Sequence, residues 1–162
     1  MNINGTLLDL GGNDFSHNIT KHFKGSYNIQ FADKFPKNEQ VIKVDLEKDE
    51  TVKKTFENVC IMNVLEHIKN YRNAINLCKK SLSKNGFLIG TVPFIFKVHY
   101  SPNDYFRFTE QLLEEELNSL ITQHDSLSKL NPSELGNEGF EKLFQLKDEI
   151  DELRLLFHPL LF

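Results

Sequence analysis

Cysteine is scarce: Cys60 and Cys78 are the only two, each inside an apolar element and without metal-ligand spacing. No metal site is therefore expected, and buried thiols in a reducing cytoplasm are the plain reading. No Lys/Arg block occurs and the formal net charge is -4, so nothing electrostatic points to nucleic acid. No apolar run approaches the roughly 20 residues needed to cross a bilayer, so no transmembrane segment is expected. The N-terminus lacks a basic region followed by a hydrophobic stretch and a cleavage site, which argues against a signal peptide. Internal repeats and low-complexity tracts are missing as well.

What is present fits one ordinary globular domain over residues 1–162. Hydrophobic residues make up 40% and charged residues 26% of the chain, enough for one core but not two. Short apolar runs at Thr6–Leu10, Tyr27–Phe31, Val41–Val44, Val59–Met62 and Phe87–Val92 read as strands, the last closed by Pro93. The runs are continuous rather than alternating, which suits a sheet buried on both faces. Between the last two lies a helix that Asn70 can cap. Tyr71, Ala74, Ile75, Cys78 and Leu82 form its apolar face, and Gly86 supplies a left-handed stop. Another helix starts at Thr109, capped by its hydroxyl, with Phe108 and Leu113 at staple spacing.

Strands alternating with helices indicate an α/β, Rossmann-like, doubly wound fold with a mainly parallel sheet and helices on both faces. The C-terminal part reads as more helical. After turns at 131–133 and 136–139, Phe140, Leu143, Phe144, Ile150 and Leu153 mark an amphipathic segment over about 138–162, its helix ending near His158-Pro159. The apolar tail Leu153–Phe162 is expected to pack on its own domain. The sharper alternative is a homo-oligomer or partner-subunit surface.

The chemistry concentrates at strand ends. Asp9-Leu10-Gly11-Gly12-Asn13 ends the first strand in a glycine turn, the way open α/β sheets shape a crevice outside their carboxyl ends. Taken alone, it reads equally as a tight strand-to-helix turn. About twenty residues on, Asp33 could accept from a pair of ribose hydroxyls, or be a surface residue in the turn before Pro36. Asp45 could accept from an adenine amino group, or cap a helix in the charged segment that follows.

The run Val59-Cys60-Ile61-Met62-Asn63-Val64-Leu65-Glu66-His67-Ile68, followed by a helix and Asn85-Gly86-Phe87-Leu88, resembles class I methyltransferases of the type-11 kind. The next segment is Pro93-Phe94, His99, then Pro102-Asn103-Asp104-Tyr105-Phe106-Arg107-Phe108-Thr109. It is similar to a signature of the subset associated with surface-polysaccharide gene clusters. The resemblance spans roughly residues 6–113. It implies an S-adenosylmethionine cofactor, with S-adenosylhomocysteine as product, and a small-molecule or sugar acceptor methylated on a hydroxyl. It also implies a cofactor site at Asp9, Gly11, Gly12, Asn13, Asp33, Asp45, Asn63 and Leu65. The family's glycine loop is longer; Asn13 and Phe15 stand at its later glycine positions here. Asn13 either narrows the pocket or turns left-handed.

On this reading His99 is the candidate base, or else a cap on its loop. Asp104 orients that imidazole or binds the acceptor. Arg107 holds an acceptor carboxylate or phosphate, or serves Asp104 structurally. Tyr105 stacks on a sugar or belongs to the core. His67 contacts the acceptor or the cofactor, and Glu66 lines the crevice or caps the next helix. Two rival readings remain. One is a degenerate member acting as a cofactor-binding or scaffold subunit. The other is a nicotinamide-dependent oxidoreductase, disfavoured because no full Gly-x-Gly-x-x-Gly follows the first strand.

Overall fold

In a computed structural model of the chain, the residues described are 2–14, 19–48, 50–100, 102–117 and 154–161. The segments read as turns at 131–139 and as an amphipathic helix over 140–153, together with Phe15, lie outside them. Six strands form one sheet: β1 (Gly5–Leu10), β2 (Tyr27–Asp33), β3 (Ile42–Lys43), β4 (Phe56–Met62), β5 (Leu82–Ile95) and β6 (Arg154–Leu161). Their order is β3-β2-β1-β4-β5-β6, and every pairing is parallel. The order reverses between β1 and β4, the place where open parallel sheets leave a crevice at their carboxyl ends.

The apolar runs form strands here because both faces of the sheet are covered. Leu8, Val59, Ile61 and Leu88 turn to one face, where α1 (Tyr71–Ser81) brings Ala74, Ile75, Leu77 and Cys78. Leu7, Cys60 and Ile89 turn to the other, against Ile3 and Phe23. A second helix, α2 (residues 110–117), adds Leu113 and Leu117 to the α1 side. The Thr109 hydroxyl accepts from Leu112 N at 3.2 Å, and both staple residues, Phe108 and Leu113, are buried. Cys60 and Cys78 are buried and outside any disulfide.

Four local expectations are corrected. Asn70 precedes α1, but its side chain makes no capping hydrogen bond. Gly86 is not a left-handed stop, since the positive-φ glycines among the described residues are Gly5, Gly11 and Gly25. The helix ends at Ser81 and runs directly into β5. Gly86 serves close approach instead: a Cβ there would stand 2.9 Å from Ser83 O and 3.0 Å from Glu57 O. Pro93 does not close β5. Pairing with β4 stops at Thr91, so beyond it β5 is bordered by β6 alone and a residue without an N–H is tolerated. Finally, residues 154–161 are not the end of a helix but the edge strand β6, laid along β5. Its own Pro159 is compatible with an edge position.

Candidate functional site

The crevice is built from four successive strand ends. At the end of β1, Gly11 has φ +90, and its N–H donates to Ala32 O at 2.8 Å. A Cβ there would lie 2.5 Å from Val64 Cγ2, so Val64 occupies the space that glycine leaves. At the end of β4, Asn63 adopts φ 55 and is the non-glycine residue with positive φ among those described. Its N–H donates to Thr91 O at 2.9 Å, and its Oδ1 accepts from Thr91 Oγ1 at 3.0 Å. Asn tolerates this geometry better than most residues. The left-handed asparagine is thus Asn63, and Asn13 does something else: its Oδ1 accepts from Lys37 N at 3.0 Å. With Asp14 paired to Lys37 Nζ at 2.7 Å, it ties the loop after β1 to the loop after β2.

Asp33 is the last residue of β2, and its Oδ1 accepts from Phe35 N at 2.7 Å in an Asx turn. Asp45 follows β3 and does not cap a helix; it accepts from Glu47 N at 3.2 Å in a turn. Lys34 Nζ lies 3.1 Å and Lys48 Nζ 3.7 Å from its Oδ2. Burial would raise the Asp45 carboxyl, but the Glu47 N–H and these lysines overcome it and hold it below its ordinary range.

Gly11, Asp33, Asp45, Asn63, His67 and Tyr105 line one cleft of about 520 Å³. Phe35 stands three-quarters exposed on its rim. The far wall is the loop Pro102–Tyr105, fastened by the Tyr105 N–H to Glu66 O at 2.7 Å. Tyr105 is partly exposed, its hydroxyl accepts from Asn103 Nδ2, and Lys69 Nζ sits 5.1 Å from its ring centre. It is a wall residue rather than core.

Other expected site residues lie elsewhere. Asp9 alternates with the core residues Leu8 and Leu10, so its side chain turns to the opposite face of the sheet. It is buried there and accepts from Thr20 Oγ1 at 3.5 Å. Leu65 is fully buried core. Gly12 is buried and, like Asp9 and Leu65, is not in the cleft wall. The Arg107 fork is taken up by Asp104: Nη2 lies 2.6 Å from Oδ2 and Nη1 binds Oδ1. Arg107 is therefore a structural partner of Asp104, with both arms of its guanidinium engaged. Its guanidinium and the nearby His99 hold the Asp104 carboxyl well below the carboxylate range, although burial opposes them.

His99 stands behind the cleft wall, not in it. Its Nδ1 is 3.2 Å from Asp104 Oδ2, within ion-pair range but misaligned for a hydrogen bond. Its ring stacks on His67 with centroids 4.9 Å apart. The ring of His67 is fixed by a 2.7 Å hydrogen bond from Nδ1 to Asn103 O. A carbonyl can only accept, so Nδ1 carries a proton.

Glu66 departs furthest from expectation. It caps nothing; its side chain is 2% exposed and its Oε2 has no partner, while Oε1 lies 3.6 Å from His67 Nε2. Burial pushes this carboxyl up to about 7. The sequence signal was faint: an acid between the core residue Leu65 and a histidine, with an apolar strand just upstream.

Comparison with protein-family models, curated proteins and solved structures gives no match. Among the described residues, no group of three His, Cys, Asp or Glu could hold a metal ion. Nor, among them, is any helix long and apolar enough to cross a membrane.

Proposed function

We propose that the cleft binds S-adenosylmethionine and that the chain transfers its methyl group to a hydroxyl of a small-molecule or sugar acceptor. The observation that carries this reading is the convergence of Gly11, Asp33, Asp45 and Asn63, one from each of four strand ends, on a single cleft. At about 520 Å³ the cleft falls within the roughly 300–1,000 Å³ of small-molecule and cofactor sites. Asp33 would accept from the ribose hydroxyls and Asp45 from the adenine amino group. Gly11 and Asn63 would line the cleft beside the methionine part. When bound, the cofactor supplies an electrophilic methyl group; the chain aligns the acceptor, excludes water and takes up a proton. The buried thiols suit work in the cytoplasm.

One observation favours a cofactor-binding or scaffold subunit without catalysis. Arg107 is spent on Asp104 and His99 is outside the cleft wall, so two of the expected acceptor-side groups are not presented.

Isothermal titration of the purified chain with S-adenosylmethionine, S-adenosylhomocysteine and, as a control, NAD separates these readings. Micromolar binding, about −8 kcal/mol, of the first two but not of NAD is expected. Turnover on sugar or nucleotide-sugar acceptors would then exclude the scaffold reading. No heat and an unshifted melting temperature with either sulfur ligand would reject methyl transfer and leave the scaffold reading. Binding of NAD alone would point to the oxidoreductase, whose strand order is the same.

A further inference from the structure

Every large apolar side chain exposed among the described residues belongs to the carboxyl rim of the sheet. Phe35 and Tyr105 stand at the cleft. The other five, Phe94, Ile95, Phe96, Val98 and Tyr100, come from one segment, the end of β5 and the loop after it. Burial stops abruptly along it: Thr91, Val92 and Pro93 are buried, and each residue from Phe94 to Val98 is exposed. A strand lying on the body alternates between covered and open side chains. Five open positions in a row therefore project from the body, and the register with β6 shifts at the same point. An exposed apolar cluster of this kind marks an interaction site.

We propose that this projection inserts into the headgroup layer of an anionic lipid surface, with Phe94, Phe96 and Tyr100 as apolar anchors and Lys97 as the cation that reaches lipid phosphate. Charge favours that occupant. From His67 through Asn103 the chain has no Asp or Glu, although its net charge is -4. Within this stretch Lys69 and Lys97 are exposed at the carboxyl rim, while Arg72 is engaged by Glu116. Lys79, Lys80 and Lys84 lie toward the amino rim, at the end of α1 and the start of β5. The acids Asp33, Asp45 and Glu47 sit across the crevice, after β2 and β3. Asp104 is buried against Arg107. The carboxyl rim is thus apolar and basic on its β5 side and acidic on the other, which gives an anionic surface one side to meet.

A lipid layer also fits the outline of the projection better than a second copy of the chain. Five residues of one short segment are few against the roughly 20–30 per side of a stable protein interface. Lipid accepts an insertion of any outline. Lys97 lies between Phe96 and Val98, so its stem can run along apolar chains while its ammonium group reaches phosphate. The projection is continuous with the cleft: the Phe96 ring meets His99 edge-on at 5.8 Å, and His99 stacks at 4.9 Å on His67 in the cleft wall. Docked in this way, the cleft opens beside the headgroups. The docking does not rest on the methyl-transfer reading; where that reading holds, it brings a lipid-borne hydroxyl within reach as the acceptor.

Flotation of the full chain with lipid vesicles tests this. One set is equal parts phosphatidylcholine and phosphatidylglycerol, the other phosphatidylcholine alone. Binding to the anionic set is expected, weaker on the neutral set and weaker with added salt. Phe96→Ser should weaken it about 10-fold or more, and Lys97→Glu about fivefold or more. Lys80→Glu makes the same charge change at the opposite rim and should leave binding within about twofold. The chain has no Trp, so Phe96→Trp adds a single reporter and keeps an aromatic anchor, which guards against a folding defect in the serine variant. Its emission should shift to the blue on vesicle binding, and brominated lipid should quench it. No flotation with the anionic set, binding unaltered by Phe96→Ser and Lys97→Glu, or an unshifted tryptophan emission overturns the proposal. So does a dimer that Phe96→Ser splits in a chain that binds no vesicles, because a second copy then covers the projection. Flotation needs no cofactor, so vesicle binding by a chain that binds no S-adenosylmethionine would reject methyl transfer while upholding the docking.

Discussion

Arg107 grips Asp104 with both arms of its guanidinium, and the Asp104 side chain is 1% exposed. The pair closes the loop after β5 over Glu66. It thereby fixes where Asn103 O and Tyr105 stand in the cleft wall.

Removing one member of such a pair strands a buried charge. Arg107→Ala is therefore expected to destabilise the fold by about 3 kcal/mol. Arg107→Lys should recover only part of that, because an ammonium cannot reproduce the two parallel bonds. Thermal and urea unfolding check this. Unchanged stability with a raised KM for the acceptor would return Arg107 to an acceptor-binding role.

Asp33 makes one local bond, to Phe35 N, and contributes little to the fold. Asp33→Ala should leave the melting temperature nearly unchanged and weaken S-adenosylmethionine binding about 10- to 100-fold, roughly 1.4–2.8 kcal/mol. Calorimetric titration of the variant reads this directly, and equal affinity would remove Asp33 from the cofactor site.

Gly11 faces two constraints at once, a left-handed backbone and the Val64 side chain. Gly11→Ala is expected to destabilise by about 1–3 kcal/mol. The double variant Gly11→Ala/Val64→Ala separates the two causes. If the steric part matters, its unfolding free energy will exceed the sum expected from the single variants.

Stability should fall on both sides of a mildly acidic maximum. Glu66 is raised from an ordinary 4.5 to about 7, so its neutral form is favoured in the fold. Its contribution is complete below the unfolded value and is lost as pH rises through about 7. The largest loss is about 3 kcal/mol. Asp104 is lowered, so its contribution is present above the ordinary carboxylate range and is lost as pH falls through it. Denaturant titrations from pH 3 to 9 should show the dome, and Glu66→Gln should flatten its alkaline side alone.

Much of this was readable from the chain because a parallel sheet converts local signals into position. Continuous apolar runs identify strands, and in a parallel sheet all their carboxyl ends emerge together, so acids written just after them, Asp33 and Asp45, meet in space. Asp9 was misplaced by the alternation of a strand, which sent it to the face opposite Leu8 and Leu10. Leu65 was misplaced because a motif does not say which of its members turn inward. The burial of Glu66 depends on a loop nearly forty residues away, through the Tyr105 N–H, and no local pattern announces it. The run at 154–161 is apolar enough for either a helix or a strand; what decides is the open edge of β5, which the run itself does not encode.

The uniform direction of the strands has a consequence for how this chain tolerates change. Its two rims are separate territories. The rim around Asn2, Gly5 and Gly25, where Ile3 N bonds Lys24 O and Glu57 meets Thr6, takes no part in the cleft. Substitutions there are expected to change stability and leave the cleft lining intact, so that rim can be redesigned for durability while the opposite rim is varied for what the cleft holds.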